Sequence, residues 1–459
     1  MATPPKGLAI LFMIGPGLVW CSEMIGSGEV ILTTRNGAVL GIGVMWAILS
    51  GIFLKYWIGV GGARYTVCTG EGMMDMFDRI PGPKHWVVWI VLVIQFISGS
   101  IAIGALASAS GVFINALIPI SPYFGGWAVS IVALLVTWFG GFKLLKAFMS
   151  FLVFLIIAGV CYVATIVFPP LSELAKGFLL KIPEVPAWAI SKAGVNPNPW
   201  REVLPLMGWA AGGFASQVWY TYWVLGEGYG MAKGRDYGHP ADLKQLRAID
   251  LDSARKIKGW CKVVYTDAAV AMTITATVTV CFLIAGAGVL RPMELAPQGS
   301  QVALTLSKIF STKWGSIGGT LFLISGAAAL ISTQMVQMAG WPRLLADAFR
   351  ICIPSFSKKL RWKTQFRLFV AFFFISNILI VYTLGYQPVV LVKIGAICDG
   401  LLLTPLQALW VALGLYVVMP KLFDKRVFGI IKPHWIFGFF LVLAFLVFGY
   451  FCVFQIPVM

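Results

Sequence analysis

Residues 14–37, IGPGLVWCSEMIGSGEVILTTRNG, decide the fold, because small and polar residues interrupt an otherwise apolar segment. Gly26 and Gly28 weaken a helix, and Ser27 can hydrogen-bond to backbone groups that the helix leaves free. Glu29 adds a carboxylate at the edge of the interruption. Within lipid, an unwound backbone is tolerated only where protein or a wet cavity satisfies its polar groups. The segment therefore predicts a broken membrane-spanning helix beside a binding cavity.

The composition of the whole chain agrees with a membrane protein. Of 459 residues, 59% are hydrophobic and 12% are charged, whereas a soluble domain has about 25% charged residues. This excludes a soluble globule, and the long apolar runs exclude a β-barrel, whose strands would alternate over about ten residues. The sequence predicts an all-α integral membrane protein with about 11 transmembrane helices. The predicted spans are 12–36, 40–63, 85–115, 126–141, 145–168, 203–229, 262–289, 315–340, 366–385, 388–418 and 434–457.

The excess of basic residues gives an orientation. The chain has 35 Lys and Arg against 18 Asp and Glu, and the basic residues concentrate in alternate loops such as 233–262 and 343–367. Loops of this kind face the anionic cytoplasmic leaflet, so lipid rather than nucleic acid is the predicted partner. We expect a cytoplasmic N-terminus, an extracytoplasmic C-terminus and a bacterial inner membrane. The oligomeric state is left open, with a monomer compatible with the sequence.

A second interruption lies in the sixth span, GWAAGGFASQVWYTY at residues 208–222. Two interrupted segments that open successive groups of five spans are typical of a 5+5 inverted-repeat transporter, with substrate at the midplane. The predicted divisions are a first repeat at 1–168, an extracytoplasmic loop at 169–202, a second repeat at 203–418, and a cytoplasmic loop with an extra span at 419–459. The predicted substrate-binding residues are Gly26, Ser27, Gly28, Glu29, Ala215, Ser216 and Gln217.

Other charged residues in or beside the spans are candidates for coupling or gating. They are Glu23, Asp267, Lys393 and Asp399, with Arg35 as a gate or interfacial residue. An alternative for Lys393 and Asp399 is a structural ion pair, and Glu29 could pair with Lys393 or Lys55. Three acids after the second span, at 71, 75 and 78, are typical of a solvated inner loop.

No constellation for catalysis is visible. The chain has three His, and its eight Cys form no CxxC pair, which gives no support for a hydrolase, a zinc site or a disulfide framework. A G-x-x-x-x-G-K-[ST] phosphate loop is also absent. We therefore expect no enzyme activity and no cofactor, and a symporter or uniporter rather than an ATP-driven pump or a channel.

Several segments resemble the natural resistance-associated macrophage protein (NRAMP) family of divalent-metal transporters. They are Gly15-Pro16-Gly17, the two interruptions, LFLISGAAALISTQMVQMAGWPRLLADAF at 321–349 and LLLTPLQALW at 401–410. The resemblance runs in order over about ten spans. It implies the 5+5 inverted repeat of the leucine-transporter type with broken helices 1 and 6, and a transported divalent cation.

The usual metal-site motifs of that family are missing. Where members carry Asp-Pro-Gly-Asn, this sequence has residues 26–29, Gly-Ser-Gly-Glu, and where they carry Met-Pro-His it has residues 215–217, Ala-Ser-Gln. Loss of the methionine removes a soft ligand, and a carboxylate with amide and hydroxyl oxygens is a hard set. We expect altered metal selectivity with Glu29 and Gln217 as metal ligands. The side chains that family members use for proton coupling are missing here, since Gln217 replaces the histidine and span 3 has no acid.

Two cargoes remain open from the sequence. A divalent cation needs more than the single charge of Glu29, which implies retained water or a second acid such as Glu23. The alternative is an amino acid, an amine or another small organic solute, because Gly-Ser-Gly also resembles the first break of amino acid/polyamine/organocation transporters. In that case Trp219, Tyr220 and Tyr222 could shape the pocket.

Overall fold

The computed structural model describes residues 2–139 and 143–459, and it describes no side chains at 143–150 and 152. These residues form helices joined by loops, without a strand among them. Within them, eight helices are long and apolar enough to cross a membrane, and the bent pair Gly7–Met13 and Pro16–Met24 makes a ninth. The other two predicted spans are span 5, helix Lys143–Ile166, and span 6, which is broken into two short helices. Nine of the eleven predicted spans are thus helices long and apolar enough to cross a membrane, and the other two coincide with shorter helices of the described residues.

The helices lie within a few residues of the predicted spans, apart from longer seventh and eighth spans. In chain order they are Pro16–Met24 with 28–40, Met45–Thr69, Trp86–Leu117, Pro122–Phe139, Lys143–Ile166, Trp200–Trp209 with Phe214–Glu227, Leu251–Leu290, 316–352, Trp362–Leu384, Pro388–Gly400 with Thr404–Leu413, and Trp435–Tyr450. Span 8 follows Val302 in one long helix that is kinked at Trp314 and Gly315.

Small residues let the spans that carry the site approach closely. A Cβ atom added at Gly37 would lie 2.2 Å from the carbonyl oxygen of Leu283, and one at Gly286 would lie 2.2 Å from that of Thr34. Span 1 and span 7 therefore pack backbone to backbone. Gly400 makes the same kind of contact between spans 10 and 6, since its added Cβ would lie 2.0 Å from the carbonyl oxygen of Gly208. Close packing of this kind is common where lipid supplies no hydrophobic drive between helices.

The two long polar segments between spans, 169–202 and 233–250, contain short helices. Segment 169–202 holds Leu171–Lys176 and Ala187–Ala193. Segment 233–250 holds Leu243–Arg247. Span 7, however, begins at Leu251 rather than near 262, because Asp250 caps its first turn by accepting the Ser253 N–H at 2.8 Å.

The prediction of a solvated inner loop at 71–78 is wrong for two of its three acids. Glu71 is buried and accepts two hydrogen bonds from Arg79, at 2.8 and 2.9 Å. Asp75 is buried in a 2.7 Å ion pair with Arg350, which comes from the far end of span 8. Burial raises the pKa of the Asp75 carboxyl to about 7, although Arg350 opposes the shift. The sequence shows these charges but not the partners that cover them.

Candidate functional site

The first break lies where the sequence predicts it. Helix Pro16–Met24 ends before Ile25, whose ψ of 78° is not helical, and the next helix begins at Gly28. Asp267 of span 7 caps the start of the first half by accepting the N–H groups of Gly15, at 3.1 Å, and Gly17, at 2.7 Å. A carboxylate at a helix N-terminus is stabilised by the exposed N–H groups there. Asp267, predicted for coupling or gating, is thus placed as a helix cap.

The second break lies just ahead of the predicted ligand residues. Helix Trp200–Trp209 ends, Ala211 and Gly212 have positive φ angles of 61° and 73°, and helix Phe214–Glu227 follows. The non-helical residues are therefore 210–213, while 215–217 form the first turn of the second half-helix. The glycine-rich centre predicted the break, but the polar residues after it are helical.

Two buried charges satisfy the ends of this second break. The ammonium of Lys55 donates to the carbonyl oxygens of Met207, at 3.2 Å, of Gly212, at 2.7 Å, and of Gly208. Asp399 accepts the N–H of Ala215, at 3.3 Å, and the side-chain amide of Gln95, at 3.0 Å. A cation at a helix C-terminus and an anion at an N-terminus both oppose the helix dipoles. Sequence reasoning found Asp399 but gave Lys55 no role at the second break, because the carbonyls it binds are about 150 residues away.

A small cavity lies between the two breaks. Its volume is about 20 Å³, which is room for roughly one water-sized particle. The walls of the cavity come from spans 1, 6, 8 and 10. The lining residues are Glu23, Met24, Gly26, Ser27, Gly28, Trp209, Gly212, Gly213, Trp219, Thr333, Gln337, Trp341 and Asp399.

Glu23 is held in this cavity by a short chain of hydrogen bonds. Its carboxylate accepts from the Ser216 hydroxyl at 2.6 Å and from the Gln337 amide at 3.4 Å. Ser216 in turn accepts from the indole N–H of Trp20 at 3.0 Å. Trp20 stacks on Tyr220 with ring centroids 4.1 Å apart. Glu23 and Ser216 thus join the two broken helices directly.

Two buried side-chain oxygens of the cavity lining, both on span 8, have no hydrogen-bond partner among the described residues. They are Thr333 Oγ1 and Gln337 Oε1, which lie one helical turn apart and belong to residues that line the cavity. Leaving a buried acceptor unsatisfied costs about 1–3 kcal/mol. A cation or water in the cavity would remove that cost. Neither residue could be singled out from the sequence, because Thr and Gln in an apolar span are compatible with ordinary packing.

Glu29 and Gln217 are close to the cavity but do not line it. Glu29 is 1% exposed, and its carboxylate accepts from the Gly26 N–H and the Thr279 hydroxyl, each at 3.4 Å. It forms no ion pair with Lys55 or Lys393. The Gln217 amide donates to the Ala211 carbonyl at 2.9 Å. Among the described residues, no three His, Cys, Asp or Glu side chains lie close enough together to hold a metal ion.

Lys393 belongs to a different cluster from the one expected. It donates to Glu202 at 2.7 Å, and Arg35 donates to the same carboxylate twice at 2.9 Å. Lys393 and Asp399 do not pair with each other. Lys393 forms a structural ion pair between spans with Glu202, which agrees with the alternative for that residue, while Asp399 caps the second half of span 6. The cluster Arg35, Glu202 and Lys393, called here the outer triad, lines a cavity of about 740 Å³. The role of Arg35 as a gate residue stays a prediction.

Part of the chain is similar in sequence to known proteins. Residues 17–195 match the family model described as natural resistance-associated macrophage protein-like. A divalent metal cation transporter of Burkholderia ambifaria is 25% identical over 182 residues, which is 39% of this chain and 40% of that protein. An uncharacterised protein of Pasteurella multocida is 26% identical over 101 residues, or 22% of this chain and 23% of that protein. These alignments span less than half the length of either relative.

Solved structures match over nearly the whole chain. A manganese transporter of Eremococcus coleocola aligns with a TM-score of 0.65 and 15% identity, covering 97% of this chain and 88% of that one. MhsT in complex with L-phenylalanine aligns with a TM-score of 0.56 and 14% identity, covering 98% and 100%. The nucleobase-cation-symport transporter Mhp1 gives 0.55 and 11%, covering 95% and 90%. The predicted fold class, an all-α membrane protein of the leucine-transporter type, is confirmed.

Proposed function

We propose that this chain, which is a divergent member of the natural resistance-associated macrophage protein family, is a secondary transporter of a divalent metal cation. The cation binds in the small cavity between the breaks of spans 1 and 6. Glu23 and Asp399 supply two negative charges there, which match the charge of a divalent ion. A transporter of this kind is an integral membrane protein and not an enzyme.

The observation that carries the proposal is the size and chemistry of the cavity. A volume of about 20 Å³ suits an ion and is too small for an amino acid. The unsatisfied oxygens of Thr333 and Gln337 can serve as two neutral ligands of such an ion. With two carboxylates they form a small set of hard donors.

The donor set supports altered metal selectivity. Carboxylate, amide and hydroxyl oxygens suit Mg²⁺, Ca²⁺ and Mn²⁺ better than softer metals. Met24 also lines the cavity, but its sulfur accepts a hydrogen bond from Thr275 at 3.6 Å. Because no three acids cluster in the described part of the chain, the ion would keep some of its water.

The proposal includes no proton path through span 3. Gln95 stands in that span beside Asp399 and accepts from the Trp341 indole at 2.7 Å. It cannot titrate, and Gln217 cannot titrate either. The setting is an inner membrane of a bacterium with the N-terminus in the cytoplasm, which the relatives in Burkholderia and Pasteurella support as a location.

The test is thermal stability of the purified protein with Mg²⁺, Ca²⁺ and Mn²⁺. A ligand at 100 times its Kd should stabilise the parent by about 2.7 kcal/mol. We expect the shift to vanish in Glu23→Gln, because one of two cavity charges is lost. Glu29→Gln tests whether Glu29, a predicted metal ligand that does not line the cavity, contributes to metal binding. Glu294→Gln is a control at an exposed acid. If no divalent ion shifts the parent, the proposal is wrong.

An organic amine is the second candidate, favoured by the aromatic wall of the cavity. Trp209, Trp219 and Trp341 line it together with Glu23. Indole faces attract organic cations, by about 0.5–2 kcal/mol each. Such a cargo requires the cavity to widen. Stabilisation by an amine or amino acid, with no response to divalent ions, would favour this candidate.

A further inference from the structure

We propose that the ammonium of Lys55 is a tethered monovalent cation, which permanently fills a carbonyl site at the second break. Lys55 lies in span 2, and its side chain is 1% exposed. All three N–H groups of an ammonium can be assigned to carbonyl oxygens of span 6, those of Met207, Gly208 and Gly212. The side chain therefore does what a bound small cation would do.

The carbonyls around Lys55 are available because the helix stops. The last four carbonyl groups of a helix have no partner within it, and they form the negative end of its dipole. Met207 and Gly208 belong to the last turn of helix Trp200–Trp209, and Gly212 lies within the break itself. In transporters with broken helices, such carbonyls coordinate Na⁺ or H⁺. Here the position is already occupied.

The charge of Lys55 is balanced by these dipoles rather than by an ion pair. In the described part of the chain, no carboxylate lies within 4.0 Å of its nitrogen, although Asp399 and Glu29 are near enough for their charges to act on it. A mobile cation cannot bind the same three oxygens while the ammonium is there. The protein should therefore need no alkali cation at this site. The inference does not depend on which cargo the cavity takes.

Removing the side chain tests the inference by chemical rescue. Lys55→Ala leaves the three carbonyls free and opens a space that propylammonium fits. We expect the melting temperature of this variant to fall well below that of the parent. Propylammonium at about 100 times its Kd should then raise it by roughly 3 °C, with a smaller rise for Na⁺ or NH₄⁺. The parent should not respond to any of these ions relative to choline.

Two control variants separate the charge from the packing. Lys55→Met fills the space with an uncharged chain, so it should be destabilised but not rescued by propylammonium. Lys432→Ala removes a lysine that is exposed, and should behave as the parent. An equal response of the parent and Lys55→Ala would overturn the inference. So would failure to isolate Lys55→Ala with or without propylammonium, because a mobile cation would then not replace the side chain. Loss of metal binding in Glu23→Gln has no bearing on this result.

Discussion

Neutralising Glu202 should open the side of the protein that carries the outer triad. Its carboxylate accepts three charge-assisted hydrogen bonds, two from Arg35 at 2.9 Å and one from Lys393 at 2.7 Å. These three residues join the ends of spans 1, 6 and 10. We expect a movement that opens the small cavity toward the larger one to separate these three residues. Glu202→Gln keeps the shape of the side chain and removes the charge that holds both cations.

The magnitude follows from the burial of the outer triad. Removing one partner of a buried ion pair costs about 3–5 kcal/mol, because the other charge is left uncompensated. The Arg35 and Glu202 side chains are 5% and 2% exposed, whereas that of Lys393 is 20% exposed and keeps some water. We therefore take the lower end, about 3 kcal/mol. That value corresponds to a change of about 100-fold in the ratio of open to closed molecules.

The assay is the rate at which a charged thiol reagent modifies a cysteine in the small cavity. Ser27 lines that cavity, so Ser27→Cys reports whether the reagent reaches it. The reagent is applied to one membrane face at a time, and the parent without the new cysteine gives the blank. We expect Glu202→Gln to react much faster from the face that carries the outer triad.

The control for this experiment is an exposed ion pair on an outer loop. Glu294 contacts Lys192, and its side chain is 44% exposed, so the pair should contribute no more than about 1 kcal/mol. Glu294→Gln should leave the rate of modification unchanged. If the rate in a folded Glu202→Gln protein stays within about twofold of its parent, the outer triad is not a gate.

Three further predictions concern packing, capping and pH. Gly400→Ala should abolish the monodisperse peak in size-exclusion chromatography, because its Cβ would lie 2.0 Å from the carbonyl oxygen of Gly208. Asp267→Asn should lower stability by about 2 kcal/mol through weakened capping of span 1, while the thermal shift with divalent ions remains. The raised pKa of Asp75, about 7, means that the native state keeps a proton which the unfolded chain releases. Stability should therefore fall as pH rises from about 4 to 7, and Asp75→Asn should flatten that profile in melting experiments.

Most of the fold was predictable because its signals are local. Apolar length gives the spans, and paired glycines give the breaks. The positions of the helix ends are less local. Span 7 extends eleven residues farther than its apolar part, since Asp250 caps a turn that lies outside the apolar window. The division into repeats at 168 and 203 stays a prediction, although span 6 begins at Trp200 within the predicted loop.

The site was only partly predictable, because its chemistry comes from residues distant in sequence. Glu23 and Ser216 meet as the two breaks suggest. Thr333 and Gln337 carry no signal until the structure leaves their oxygens unpaired beside the cavity. The partners of Lys393 depend on the rotation of helix Pro388–Gly400 about its axis. The apolar residues of that helix form no single face, so the sequence does not determine this rotation.

The charges around the breaks connect the metal proposal with the inference about Lys55. With all four groups ionised, Glu23, Glu29 and Asp399 carry three negative charges and Lys55 carries one positive charge. The balance is two negative charges, which a divalent ion neutralises and a zwitterionic amino acid does not. In a low-dielectric interior such a mismatch is costly. A fixed ammonium thus favours a divalent cargo over a trivalent one, although the family's usual aspartate and methionine are absent from both breaks.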